Sequence, residues 1–270
     1  MATNIGDLPN ALTHKDQLDK QLAGKKPALF LDYDGTLTPI VDRPEDAIIS
    51  ESMREAVKAL ADRCSVCVVS GRDRPVVQQL MGVDSLIVAG SHGFDIWSPD
   101  GGTLQREMGA EFADVLEETK ARLHAVMDPI EGALVEPKKA SVAAHYRLVA
   151  DAERSKVKDV VDAILADHPD RLKVTPGKMV FEIQPKIEWD KGKAVLYLLE
   201  ALGLDTPDIM PMYMGDDHTD EHAFEALHGR GIGIFVGRAD DPEVGKRTTY
   251  AHYILDSMAE VEQFLHSLAT

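Results

Sequence analysis

Long apolar runs are missing from this sequence. Nowhere does it offer the roughly 18 consecutive apolar residues that a membrane-crossing helix needs, so no membrane partner is expected. The first 25 residues, MATNIGDLPNALTHKDQLDKQLAGK, lack an apolar core and a small-residue cleavage site. No secretory leader is expected, and the expected location is cytoplasmic. Basic residues are scarce: 29 Lys and Arg stand against 46 Asp and Glu, a net charge of −17. That balance argues against a partner gripped through its phosphate backbone, so nucleic acid is set aside. It would also repel an anionic small molecule at long range, so any phosphate site must carry its own local positive charge. Cysteine is scarcer still, with only Cys64 and Cys67. Their C-x-x-C spacing admits a redox or metal pair, but no second pair completes a zinc site. Both are read as small buried hydrophobes of the strand Ser65–Val69.

What remains is an ordinary globular composition, 44% hydrophobic and 28% charged over 270 residues, enough for a large core with a smaller second domain. Residues 28–32 (ALFLD), Ser65–Val69, 86–89 and 210–214 are short apolar runs typical of strands buried on both faces. Helical spacing links Met53, Ala56, Val57 and Leu60, and later Ala194, Val195, Leu198, Leu199 and Leu202. Strands alternating with amphipathic helices predict an α/β core, a doubly wound, Rossmann-like parallel sheet.

The middle of the chain breaks that rhythm. Phe112, Val115, Leu116, Thr119, Leu123 and Val126 mark a helix, followed by strand-like runs at 133–135 and 141–148. Val157, Val160, Val161, Ile164 and Leu165 mark another helix, followed by runs at 172–175 and 179–184, with Pro176-Gly177 suited to the centre of a type II turn. Helix–strand–strand twice over predicts an α+β cap inserted at 109–185, between core segments 1–108 and 186–270. Ser98-Pro99-Asp100-Gly101-Gly102 and Gln184-Pro185 are the expected boundaries.

Three strand ends carry polar residues with no packing purpose: Asp32-Tyr33-Asp34-Gly35-Thr36-Leu37, Ser70-Gly71-Arg72-Asp73 and Gly215-Asp216-Asp217-His218-Thr219-Asp220-Glu221. Ligands of open α/β sheets bind at such ends. Clustered carboxylates repel one another unless a cation lies among them, and hard oxygen donors without a histidine pair favour Mg²⁺. Taken singly, Asp217 or Asp220 reads as a helix N-cap. Lys191 opens the helix that begins within Trp189-Asp190-Lys191-Gly192-Lys193, where a cation opposes the helix dipole and an anion is welcome. It reads as a clamp for phosphate, with Lys193 as the competing candidate.

The D-Y-D-G-T-L run resembles the first signature of the haloacid dehalogenase superfamily of aspartate-nucleophile phosphatases. Ser70, Lys191 and Gly215-Asp216-Asp217 resemble its other three, in order. G-D-D-H-T-D-E is similar to the form found in trehalose-6-phosphate phosphatases, as are Trp189-Asp190-Lys191-Gly192-Lys193-Ala194, His92-Gly93, Glu136-Pro137-Lys138 and His145-Tyr146-Arg147. Ser91, Asp95 and Gln184 stand where that family usually has Asn, Glu and Arg. The resemblance implies a phosphatase that forms an aspartyl phosphate on Asp32, with Asp34 as acid and then base. Thr36 would position Asp34. Ser70, Gly71 and Lys191 would bind the phosphate. Asp32, the Asp34 carbonyl and Asp216 would ligate Mg²⁺, with Asp217 behind them. Glu136, Lys138, Arg147 and Glu182 of the cap would bind a sugar-phosphate substrate, expected to be trehalose 6-phosphate. Another sugar phosphate (sucrose or glucosylglycerol phosphate), a phosphomutase reaction and a silent sugar-phosphate sensor are the rival expectations.

Overall fold

The computed structural model describes residues 2–99, 106–107, 110–138, 140–242 and 244–269. Asp100-Gly101-Gly102 and Gly109, expected near one boundary, lie outside the described residues. The chain divides into two compact units, Met1–Gln105 with Trp189–Thr270, and Arg106–Glu188. No described helix is long and apolar enough to cross a membrane.

In the first unit the strands lie in the order Tyr253–Leu255, Ile232–Val236, Ile209–Gly215, Lys26–Leu31, Ser65–Val69, Ile87–Gly90, Asp95–Trp97. Neighbours are parallel as far as Ile87–Gly90, and Asp95–Trp97 returns antiparallel beside it. From Lys26–Leu31 the winding proceeds to Ser65–Val69 on one side. From Ile209–Gly215 it proceeds to Ile232–Val236 on the other. The direction therefore reverses between these two central strands, and the carboxyl ends at such a reversal are where open α/β sheets bind their ligands.

Alternation along the strands explains their continuous apolar character. Leu29, Leu31, Val66, Val68, Met212 and Met214 pack with Met53, Val57, Leu60, Val77, Val261 and Phe264 of one helix layer. The intervening Tyr213 turns its ring edge-on to Phe224 of helix Glu221–Leu227, 5.7 Å away. With both faces covered, neither can be polar. Each fully buried Leu, Val or Phe here is worth about 1.5–3 kcal/mol relative to exposure, so the sheet that positions the site is firmly held. Cys67 is buried within Ser65–Val69, whereas Cys64 lies one residue before that strand and donates its thiol to the Leu60 carbonyl. Burial pushes the Cys64 thiol up to about 11 and raises Cys67 as well, the opposite of a reactive thiolate pair.

The second unit is a four-stranded antiparallel sheet in the order Leu134–Pro137, Val142–His145, Val180–Pro185, Leu172–Gly177. Val135, Ala144 and Ile183 pack against Val115 and Leu123 of helix Ala113–Met127 and Val157, Val161 and Ile164 of helix Arg154–Asp167. The hairpin corrects one expectation. Gly177 pairs with Val180, so Lys178-Met179 form the turn, with Met179 at φ 67°. Pro176 and Gly177 belong to the ladder instead. Their strand is an edge of the sheet, where the amide that proline lacks is not required on both sides, so the longer six-pair register prevails.

Candidate active site

The backbone builds the site from three strand ends and one helix start. After Leu31 the chain makes a tight loop in which Gly35 takes φ 83° and donates its amide to the Thr38 carbonyl at 2.8 Å. A Cβ on Gly35 would lie 2.3–2.6 Å from the Asp216 carboxylate, so glycine lets the first and last strand ends approach. Gly215 does the same for Asp220, whose carboxylate would lie 2.2 Å from an added Cβ. Gly192 brings helix Lys191–Ala201 against the backbone of His222. Asp190 caps that helix by accepting from the Lys193 amide at 2.8 Å, which aims Lys191 inward.

Lys191 is 3% exposed and divides its ammonium between Asp32 Oδ1 at 2.8 Å and Asp220 Oδ1 at 2.7 Å. Burial alone would lower its pKa, but the Asp220 and Asp32 carboxylates overcome this and hold it well above the ordinary lysine value. Asp32 is also buried, and burial raises its proton affinity well above the carboxylate range. Lys191 opposes that rise, while Asp220, Asp216 and Asp217 add to it. For Asp217 the Lys191 charge and the Thr219 hydrogen bonds outweigh burial and hold the carboxyl low.

Asp220 corrects the N-cap reading. It occupies the N-cap position of helix Glu221–Leu227 but makes no cap bond with its side chain. Its Oδ1 accepts from Lys191 and from the Tyr213 hydroxyl at 2.7 Å, and its Oδ2 from the amides of Asp216 and Asp217 at 2.9 and 3.0 Å. Asp217 closes its own loop by accepting from the Thr219 amide and hydroxyl, both at 2.7 Å.

Arg72 was not singled out by the sequence. It is 8% exposed, and its Nε and Nη2 each donate to one oxygen of Asp34 at 2.7 Å. Thr36 does not position Asp34 through its hydroxyl, which is buried and has no hydrogen-bond partner. Ser70, fully buried, accepts from the Arg72 amide at 3.1 Å and fixes the loop that follows its strand. Across that loop Ser91, His92 and Gly93 take φ 50°, 56° and 90°, a run of left-handed backbone. The His92 amide donates to the Ser70 carbonyl at 2.8 Å, and a Cβ on Gly71 would come within 2.8 Å of the His92 ring. The strain at Ser91 and His92, of order 1–3 kcal/mol each, persists where surrounding contacts over-determine it.

Asp32, Asp216 and Asp220 each offer an oxygen within 4.8 Å of the others, the geometry of a cation site. Asp220 already accepts four hydrogen bonds, the capacity of a carboxylate, so the oxygens for a cation would come from Asp32 and Asp216 rather than from it. Several carboxylates facing one ammonium leave uncompensated negative charge, and hard oxygens of this kind fit Mg²⁺.

In the second unit the register puts Glu136, Ala143 and Glu182 in one row across the sheet face away from its helices. Lys138 donates to Glu182 at 2.9 Å with both side chains 9% exposed, and the Ser141 hydroxyl donates to the same carboxylate. Glu136 pairs with His145 at 2.8 Å. Arg147 donates to the Lys178 carbonyl of the hairpin turn at 2.8 Å.

Comparison with known proteins gives a consistent result. The trehalose-phosphatase family matches residues 30–259. A Zea mays trehalose 6-phosphate phosphatase is 41% identical, covering 97% of this chain and 74% of that protein. An uncharacterized glycosyl hydrolase of Mycobacterium tuberculosis is 43% identical over 98% of this chain, which spans only 20% of that protein. The C-terminal domain of Candida albicans trehalose-6-phosphate phosphatase shares the fold, with a TM-score of 0.79 at 22% identity, covering 97% of this chain and 98% of that one. A haloacid dehalogenase-like hydrolase of Bacteroides thetaiotaomicron also shares the fold, with a TM-score of 0.64 at 19% identity, covering 90% of this chain and 99% of that one. With the family match spanning most of its length, this chain belongs to the trehalose-phosphatase family.

Proposed function

We propose that the chain hydrolyses trehalose 6-phosphate to trehalose and phosphate by way of an aspartyl phosphate on Asp32, as a step of trehalose biosynthesis. The observation that carries this reading is the buried Asp32 carboxylate, held 2.8 Å from Lys191 at the point where the sheet's winding reverses, in a chain of this family. An Asp32 oxygen attacks phosphorus as the bond to the sugar oxygen breaks. Asp34 gives its proton to the departing oxygen and later takes one from the water that cleaves the acyl phosphate. Lys191 balances the charge of the transferring group, and the Ser70 hydroxyl and Gly71 amide hold its oxygens. Asp32, the Asp34 carbonyl and Asp216 would hold Mg²⁺, which when bound draws charge from the phosphate oxygens. Glu136, Lys138, Glu182 and Arg147 supply sugar recognition.

The test is phosphate release from a panel of sugar phosphates, with and without Mg²⁺ after exhaustive chelation. Trehalose 6-phosphate should be the best substrate and Mg²⁺ should restore a silent enzyme. Preference for sucrose or glucosylglycerol phosphate would replace the substrate, and full activity after chelation would remove the metal.

A further inference from the structure

Asp34 is the acid and base of the proposed reaction, yet nothing on its own loop holds its carboxylate. The neighbouring Thr36 hydroxyl makes no hydrogen bond, and half of the Asp34 function depends on pointing at an oxygen that belongs to the substrate. The group that does hold it comes from the next strand end, 38 residues away. Arg72 reaches across with a two-pronged fork, Nε to Oδ2 and Nη2 to Oδ1, both at 2.7 Å.

The fork is fixed on several sides. Nη1 donates to the Pro44 carbonyl at 2.6 Å, and the guanidinium lies 5.5 Å from the centre of the Tyr33 ring. Tyr33 is itself pinned by donating its hydroxyl to the Ala47 carbonyl at 2.8 Å. The Arg72 backbone is tied at both ends, its amide to Ser70 Oγ and its carbonyl to the Ser91 amide at 2.7 Å. Arg72 is 10% exposed at the side chain, whereas the Asp34 side chain is 38% exposed. The guanidinium is therefore the rigid partner and the carboxylate the one that is oriented.

We infer that Arg72 is a positioning residue for Asp34: it selects the carboxylate orientation from which the proton passes to the leaving oxygen. This rests on the phosphatase reading above. A planar guanidinium and a planar carboxylate sharing two parallel hydrogen bonds are locked in both direction and plane. A carboxylate has about four lone-pair sites, and the fork occupies two, leaving the others to exchange a proton with the leaving oxygen or with water. Lysine carries the same charge on a compact ammonium and cannot reproduce the fork. In the step concerned, an Asp32 oxygen bonds to phosphorus, the bond from phosphorus to the leaving oxygen breaks, and the Asp34 proton ends on that oxygen. A sugar alkoxide needs the proton. A nitrophenolate does not.

That difference supplies the test. The wild type, Arg72→Lys and Arg72→Gln are assayed with Mg²⁺ on trehalose 6-phosphate, glucose 6-phosphate and p-nitrophenyl phosphate, using kcat/KM, which reports the steps through formation of the phospho-enzyme. The expected result is a loss on the two sugar phosphates at least about tenfold greater than on the aryl phosphate, within the range that general acid catalysis supplies. All three rates come from one preparation, so loss of folded protein cancels from the ratio. In an Asp34→Asn background, Arg72→Gln should lower sugar-phosphate kcat/KM by less than about twofold, because a residue acting through Asp34 has nothing left to position. Equal loss on all three substrates, no loss, or full additivity with Asp34→Asn would each overturn the inference. Wild-type enzyme inactive on every substrate would instead overturn the phosphatase reading itself.

Discussion

A carboxylate buried among other carboxylates holds its proton tightly, and Asp32 is in that position unless positive charge keeps it ionised. Lys191 supplies one charge at 2.8 Å. The proposed nucleophile is thus shaped by its surroundings, and its own chemistry can be removed with little change of shape. Asp32→Asn should fold, as judged by an unchanged circular dichroism spectrum, and release phosphate at less than about a thousandth of the wild-type rate. Higher activity would assign the attack to another group. Gly35 makes a second demand at the same scale. An alanine there would take a left-handed φ of 83° and place its methyl 2.3 Å from Asp216 Oδ2. Gly35→Ala should cost about 1–3 kcal/mol in denaturant unfolding. It should also displace Asp216 and raise the Mg²⁺ concentration needed for half-maximal activity by about 10–100-fold, the effect typical of disturbing a ligand's support. An unchanged Mg²⁺ requirement would take Asp216 out of the metal site.

The loop Gly215–Glu221 shows what an element adds to its residues. Every one of the four groups around the Asp220 carboxylate is a donor: an ammonium, a phenol and two amides. In Asp220→Asn the new amide nitrogen must face one pair of them, so donors meet donors and Lys191 loses a buried counter-charge. Removing one partner of a buried pair costs about 3–5 kcal/mol. The variant should unfold at correspondingly lower denaturant and lose activity through a displaced Lys191, and wild-type stability would refute the role. The sequence already held the loop's position, its acidic character and the helix that follows, because these depend on local spacing. The direction of the Asp220 side chain depends on Tyr213, seven residues earlier in the preceding strand, and on Lys191 of another helix, and no local pattern encodes that. Arg72 was hidden for the same reason. Its identity stood in view in Ser70-Gly71-Arg72-Asp73, but a long side chain can reach many partners, and its fork on Asp34 exists only once two strands lie side by side. The hairpin failed differently: Pro176-Gly177 carried the stronger turn chemistry, and the pairing of six residue couples across it decided the register.

At the scale of the molecule the question is why a phosphatase core should be interrupted by a second folded unit. A core of this kind grips phosphate, and phosphate alone does not distinguish one sugar ester from another. The row containing Glu136 and Glu182, with Lys138 and His145 paired to them, offers carboxylate and ammonium groups on a rigid sheet. In the proposed reading these groups exchange their mutual bonds for sugar hydroxyls, with more hydrogen-bonding capacity than one ring would use. Trehalose 6-phosphate should therefore be cleaved far better than glucose 6-phosphate, which carries the same phosphate on a single ring. If binding of the remote ring is applied to the reaction, truncating it lowers kcat as well as raising KM. Glu136→Ala and Lys138→Ala should narrow the gap between the two substrates by about 10-fold or more, since buried polar groups left unpaired are what give such sites their discrimination. Both variants should spare p-nitrophenyl phosphate, which has no sugar to recognise. Steady-state kinetics on the three substrates decides the matter. Equal kcat/KM for the mono- and disaccharide phosphates would retire the disaccharide reading and leave the aspartate chemistry standing. Loss on the aryl phosphate alongside the sugars would show that these residues support the second unit's fold or the reacting phosphate, and would move sugar recognition elsewhere.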